Sequence, residues 1–236
     1  MKSRIIPSIR SSGIYSQQAH RVLPKKAPYE REISQDGFYG AATHMHHQHK
    51  PTGWKKWQGP LGPQAFDFLL TSSCDNPLQA PLLLSNKDCK ISFCKFESKM
   101  DFLVSDSDGD LLLFIHQGQG DLYCDYGHIH VQMGDYVLIP RSTFWRIEQT
   151  AELQILIIEA SENHFYLPDK GLLGRHAIFD SAALQQTEID EAFLRQQDEN
   201  PWQVFIKKDG QQVCLSYDYN PLDSLGWHGE VCVLKL

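Results

Sequence analysis

From Leu111 onward, short runs of β-branched, aromatic and leucine residues recur about every eight to ten residues, with Gly or Pro between them. Chains punctuated this way build sandwiches or barrels, because no run is followed by the crossover helix that a parallel sheet needs. The runs are Leu111 to His116, Asp121 to Tyr126, His128 to Gln132, Tyr136 to Ile139, Phe144 to Glu148 and Leu153 to Glu159. Lys90 to Phe96 and Phe68 to Thr71 read as earlier strands of the same kind. In Leu111 to His116 both alternating faces are apolar, so this strand is expected to be covered on both sides, by extensions or by another subunit.

The flanks differ. Residues 1–60 are rich in Pro, Gly and His and read as an irregular N-terminal arm, followed by a barrel over 61–178. Residues 179–236 read as a short helical segment and a hairpin, with Asp180 and Thr187 as expected helix N-caps. Trp202 to Lys207 and Gln211 to Tyr217 flank Asp209-Gly210, which supplies the positive φ angles of a tight turn. The last residues, Cys232 to Leu236, read as a strand, and the expectation is that the chain is cut short.

A formal charge of −7 gives no general attraction for nucleic acid or an anionic membrane, and no apolar run approaches a membrane span. The expectation is no nucleic acid, no membrane and a cytoplasmic protein. The basic stretch from Lys2 to Lys26 lacks the apolar centre of a secretory signal. It reads as an arm lying on the body or on a neighbouring subunit, with a transit segment as the competing reading. The six cysteines, Cys74, Cys89, Cys94, Cys124, Cys214 and Cys232, form no CxxC pair and read as reduced, mostly buried thiols.

Three segments carry a resemblance. Ser107 to Gly127, continuing to Gly134-Asp-Tyr-Val-Leu-Ile-Pro-Arg141, has an acidic residue leading an apolar strand into a Gly-x-Gly turn and a Tyr-x-x-x-Gly hairpin. His164-Phe-Tyr-Leu-Pro-Asp-Lys-Gly-Leu-Leu-Gly174 and Asn220-Pro-Leu-Asp-Ser-Leu-Gly-Trp-His-Gly229 follow in order. Together they resemble the N-terminal cupin of the homogentisate 1,2-dioxygenase family. The resemblance implies a mainly all-β fold, a cupin or jelly-roll β-sandwich barrel with an irregular N-terminal extension, leading into a second cupin absent from this chain. It also implies a homo-oligomer and an aromatic small-molecule substrate for the complete enzyme. The resemblance further implies that the complete enzyme would use Fe(II) with open coordination positions to let dioxygen open the aromatic ring. In the family those ligands lie in the C-terminal cupin.

A metal-binding cupin carries His-x-His, Glu and a later His. Counted from Gly118 and Gly134, those positions fall near Ser105 and Ser107, on Leu111 and on Trp145. None forms a ligand set, so no cofactor is expected for this chain alone and its cupin reads as structural. The remaining metal candidates are His44, His46, His47 and His49 in Thr43-His-Met-His-His-Gln-His49. His44 and His46 would share one face of an extended strand, and neutral imidazoles suit Zn, Fe, Cu or Ni. With no Cys or acid inside the cluster, a solvated or interface segment is the plainer reading.

His116 reads as bonded to a backbone carbonyl, and His128/His130 as a solvated strand face. His228 reads as a hydrogen-bonding residue. Ser11-Ser12-Gly13 and Ser142 lack the strand-turn-helix elbow of a nucleophile. Lys55-Lys56 between Trp54 and Trp57 reads as an amphipathic loop, with stacking on an aromatic or anionic ligand as the alternative. The alternative function is a stand-alone, non-catalytic cupin acting as a small-ligand binding or scaffolding module.

Overall fold

The computed structural model describes residues 26–36, 39–60, 62, 65, 67–166 and 181–236. The chain divides into two compact units, Met1–Ala65 and Phe66–Leu236. In the first unit, β1 (Tyr29–Asp36) and β2 (Tyr39–His47) form an antiparallel hairpin. This corrects the reading of 1–60 as irregular throughout. The hairpin escaped notice because neither face is consistently apolar: one carries Glu30, Glu32, His44 and His46, the other Tyr29, Arg31, Met45 and His47.

The second unit holds two sheets among its described residues. Their strands are β3 (Leu82–Ser85), β4 (Cys89–Phe96), β5 (Leu103–Asp106), β6 (Asp110–Gln117), β7 (Gln119–Cys124) and β8 (Gly127–Gln132). After these come β9 (Tyr136–Ile139), β10 (Trp145–Gln149), β11 (Leu153–Ala160), β12 (Gln185–Gln186), β13 (Trp202–Lys208), β14 (Gln211–Tyr217) and β15 (Leu234–Lys235). One sheet runs β14-β13-β5-β10-β7-β8 and the other β12-β15-β9-β6-β11-β4-β3. All pairings are antiparallel except β13 with β5.

Alternation explains the packing. In β8, Gly127, Ile129 and Val131 are buried while His128 and His130 sit on the opposite face. Leu111, Leu113, Ile115, Leu122, Ile147, Ile155 and Trp145 meet between the sheets as the main core. A second cluster of Leu103, Tyr123, Phe193, Val204 and Leu222 lies outside the six-stranded sheet. It brings in α1 (Glu191–Arg195) through Phe193. Buried Arg146 is held there with its guanidinium 4.6 Å from the Tyr123 ring and 5.1 Å from the Trp202 ring. A desolvated cation over aromatic faces is worth about 2 kcal/mol.

Two local expectations are corrected. Phe68 to Thr71 is not a strand: Asp67 accepts a hydrogen bond from Leu69 N at 3.1 Å and caps a 3-10 turn over Phe68–Leu70. The helix does not start at Thr187, whose hydroxyl donates to Tyr126 O at 2.9 Å while Glu188 bridges to His128. Thr187 is committed to that hydrogen bond and Glu188 to that bridge, so capping falls to Asp190, which accepts from Phe193 N at 2.8 Å. Asp180, the leader 1–25 and the Leu167 to Gly174 part of the family-like segment lie outside the described residues. Asp209 and Gly210 take φ of 52° and 69°, as the β13–β14 turn requires.

Asp125, in the β7–β8 turn, is pushed up to about 6 by burial, with Asp223 adding repulsion and a hydrogen bond from Phe144 N opposing both. A carboxyl whose folded value lies above its unfolded one favours the fold only while protonated. Stability is therefore lost as pH rises from about 4 to about 6 and stays lost above that. Asp125→Asn keeps an oxygen for Phe144 and removes the charge. It is expected to add about 1–2 kcal/mol at pH 7.5, discounted for partial exposure, and nothing at pH 3.5. Urea melts at the two pH values check this.

Candidate functional site

Leu111 and Trp145, which stand where a metal-binding cupin keeps donors, are 4% and 0% exposed and packed into the core, while Ser105, 1% exposed, lies on the opposite strand face with Leu103, and Ser107 is partly buried at the edge. Trp145 pairs with Val104 on one side and Cys124 on the other, placing its ring across the sheet centre. An apolar leucine and an indole cannot ligate Fe(II), and two hydroxyls alone make a poor donor set. The barrel residues therefore do not fit the family's iron.

Among the described residues, polar clusters that bear on a site lie elsewhere in this unit. Asp106, Asp108 and Glu159 place one oxygen each within 4.8 Å of one another, a spacing that a metal ion can bridge. Lys207 already stands among them: its Nζ is 2.7 Å from Asp106, bonds Glu159, and lies 4.0 Å from Asp108. Lys90 adds a second ammonium 2.9 Å from Glu159. Burial alone would lower the lysine, but its bonds to Asp106 and Glu159 outweigh that and raise it. Glu159 is correspondingly held below the carboxylate range, its two lysines outweighing burial. The cluster is a neutralising network, and nothing in the sequence brings Asp106 to Lys207, 101 positions apart.

His128 and His130 are not simply solvated. His128 sits between Asp190 (Nδ1 to Oδ2, 2.9 Å) and Asp121 (Nε2 to Oδ1, 3.2 Å), while His130 Nδ1 lies 3.0 Å from the same Asp121 oxygen. This ties the N-cap of α1 to the sheet. His116 also differs from expectation. No hydrogen bond to a carbonyl is seen for it among the described residues. Its ring instead meets Phe68 and Phe93 at 5.9 Å and Phe114 at 6.4 Å. His228 is exposed.

A further cluster, Asp110, Arg141 and His164, lines a cavity of about 610 Å³ on the outer face of the seven-stranded sheet. Leu112, Tyr136, Leu138, Phe165, Val231 and Leu234 form its apolar wall. At one end, Asp110 accepts from Arg141 N at 3.1 Å and Arg141 Nε at 3.3 Å, and meets His164 Nδ1 at 2.8 Å. Burial would raise the Asp110 carboxyl, but these bonds outweigh it and hold it below its usual range. The cavity explains the two-sided apolar pattern of β6: Leu113 and Ile115 face the core, Leu112 faces this space.

In the hairpin unit, the structure brings His44 and His46 together on one face and places His47 on the other. His49 follows the strand in an exposed bend. The cross-strand partners of the first pair are acids that sequence reasoning missed: Glu32 stands opposite His44 and Glu30 opposite His46. The signal was present as Glu30-x-Glu32 and His44-x-His46 on either side of Gly37 in the sequence. Trp54 and Trp57 lie edge to face at 5.7 Å, both about half exposed.

Two facing sheets of antiparallel Greek-key character around a filled interior define a cupin-type jelly roll. A cupin superfamily protein from Desulfitobacterium hafniense is 22% identical, with a TM-score of 0.35 over 42% of this chain and 94% of that one. The model of the homogentisate 1,2-dioxygenase N-terminal family matches residues 21–236, and the chain belongs to that family. Homogentisate 1,2-dioxygenase of Rhodopseudomonas palustris (strain BisA53) is 23% identical over 239 residues, 98% of this chain and 47% of the relative. That of Drosophila melanogaster is 26% identical over 129 residues, 55% of this chain and 29% of the relative. A putative dioxygenase of Saccharolobus solfataricus is 24% identical over 234 residues, 92% and 60% of the two chains. The chain thus spans between 29% and 60% of these relatives' lengths. No helix among the described residues is long and apolar enough to cross a membrane.

Proposed function

We propose that this chain is the structural, metal-free cupin of a homogentisate 1,2-dioxygenase-like Fe(II) ring-cleaving enzyme, acting in the cytoplasm on an aromatic substrate and helping to build a homo-oligomer. The observation that carries this reading is the filled barrel, with Leu111 and Trp145 buried where ligands would stand. A chain of this kind contributes a wall and an assembly surface to chemistry carried out elsewhere in the complete enzyme.

The test is oxygen uptake with homogentisate after anaerobic loading of the purified 236-residue chain with iron(II). The expected result is no uptake above the iron-only background. Chelator-sensitive uptake would overturn the reading, because it requires ligands in this chain that the barrel does not supply.

The outer cavity favours a second reading, a stand-alone binding module. A mostly apolar space of about 610 Å³ with a few convergent polar groups has the size and character of a small-molecule site. Saturable binding of a small aromatic by the metal-free chain, lost on Leu138→Trp, would favour it over the first.

A further inference from the structure

We propose that β14 is an assembly edge: two copies of this chain join by antiparallel pairing of Gln211–Tyr217 about a two-fold axis at Cys214, which merges their six-stranded sheets into one. The inference rests on the assembly role proposed above and names its surface. Among the described residues β14 is the terminal strand of its sheet, and all seven of its residues pair with β13 in unbroken register. Six of the seven are exposed, including Val213 at 51% and Leu215 at 39%. A row of unpaired N–H and C=O groups beside apolar side chains is a template for another strand.

The other edges of the two sheets are blunted. β3 has four residues and a register shift between Leu82 and Leu84, and β12 has two residues. Beside β8, Glu188 occupies the edge: His128 N donates to Glu188 O at 2.8 Å, and Glu188 N donates to His128 O at 3.0 Å. β14 has none of these devices. Its sequence, Gln-Gln-Val-Cys-Leu-Ser-Tyr, also lacks the charges and the Pro that keep natural edges apart.

The strand is complementary to itself. Pairing centred on Cys214 engages all seven residues and sets Val213 against Leu215 of the second copy, twice by symmetry. These side chains lie on the outer face, because their β13 partners Ile206 and Val204 belong to the outer cluster. Apolar pairs directly opposed across strands are stabilising, and an uncharged strand meets no like charge when opposed to itself. A two-fold contact needs only one such patch on each chain. The contact is small, so a weak dimer is expected, with a dissociation constant on the order of micromolar.

The experiment follows the untagged 236-residue chain by sedimentation velocity over a range of concentrations, and treats it with a short bis-maleimide. Concentration-dependent self-association is expected, with two chains joined through Cys214, the exposed cysteine of the six. Cys214→Ser abolishes that product. Val213→Lys with Leu215→Lys opposes like charges in both symmetric pairs and weakens association by about tenfold or more. Val213→Lys with Leu215→Glu opposes unlike charges in the same pairs and stays within about threefold of the parent. Both positions are exposed, so urea melts of both variants match the parent. Self-association that the double-lysine variant leaves unchanged, without a Cys214 product, overturns β14 as the surface and leaves the assembly role standing. A chain that stays monomeric overturns both. A monomer whose Cys214 resists maleimide shows another segment of the chain on this edge, and also overturns the proposal.

Discussion

Trp145→Ala is expected to lower the unfolding free energy by about 3–5 kcal/mol, the range for removing a large aromatic from a packed core. The indole is 0% exposed and sits between Val104 and Cys124, so its loss leaves a void that neighbouring strands cannot close without shifting. Trp145→Phe keeps most of the volume and removes an indole N–H that finds no hydrogen-bond partner among the described residues, so its cost should be less than half as large. Urea titration followed by circular dichroism measures both. A loss under about 1 kcal/mol for the alanine variant would show that the barrel is not filled at this point. The argument against a metal in the barrel would then fail with it.

Lys207→Met carries a comparable penalty for a different reason. Lys207 is 15% exposed and neutralises Asp106 and Glu159, whose side chains are 4% and 9% exposed. Removing one partner of a buried ion cluster costs about 3–5 kcal/mol, because charge stays behind without its counter-ion. Lys90 still serves Glu159, which favours the lower end of that range. The pH dependence identifies the cause. In the parent, the depressed Glu159 contributes stability that is present above its unfolded value and is lost as pH falls through its folded one. Without Lys207, both carboxyls rise in the fold, and stability falls as pH climbs from about 4 towards neutrality. The gap between variant and parent is therefore smallest below pH 4 and largest at pH 7. A gap independent of pH would mean that Lys207 acts through packing alone.

Much of the fold was legible because its signals are local. From Asp110 to Ala160 the strands fall on the apolar runs read from the sequence, most of them bounded by Gly or Pro, and Tyr136–Ile139 lies where the pattern puts it, whereas β5 (Leu103–Asp106), buried along its whole length and so without alternation, was not read as a strand. Phe68 to Thr71 misled because its apolar content resembles a strand, whereas one carboxylate before it, Asp67, turns the backbone into a cap. The β1–β2 hairpin was illegible for the opposite reason, having no apolar face to betray its period. The functional groups divide in the same way. The four histidines were visible as a run, but the glutamates opposite His44 and His46 come from the other strand and appear only once the register is known. The lysine among the three acids and the carboxylates around His128 are likewise products of long-range pairing.

The parallel pairing of β13 with β5 has a consequence for how the chain is made. Val204 aligns with Leu103 and Lys207 with Asp106, so one edge of the six-stranded sheet is completed by residues synthesised about a hundred positions later. At about 5–20 residues per second, the ribosome needs roughly 5–20 s to deliver them. Through that interval the β5 edge offers unpaired backbone groups to any strand it meets. The nascent barrel is most exposed to misassembly while its closing segment is still in the exit tunnel, a hazard that the finished fold does not display.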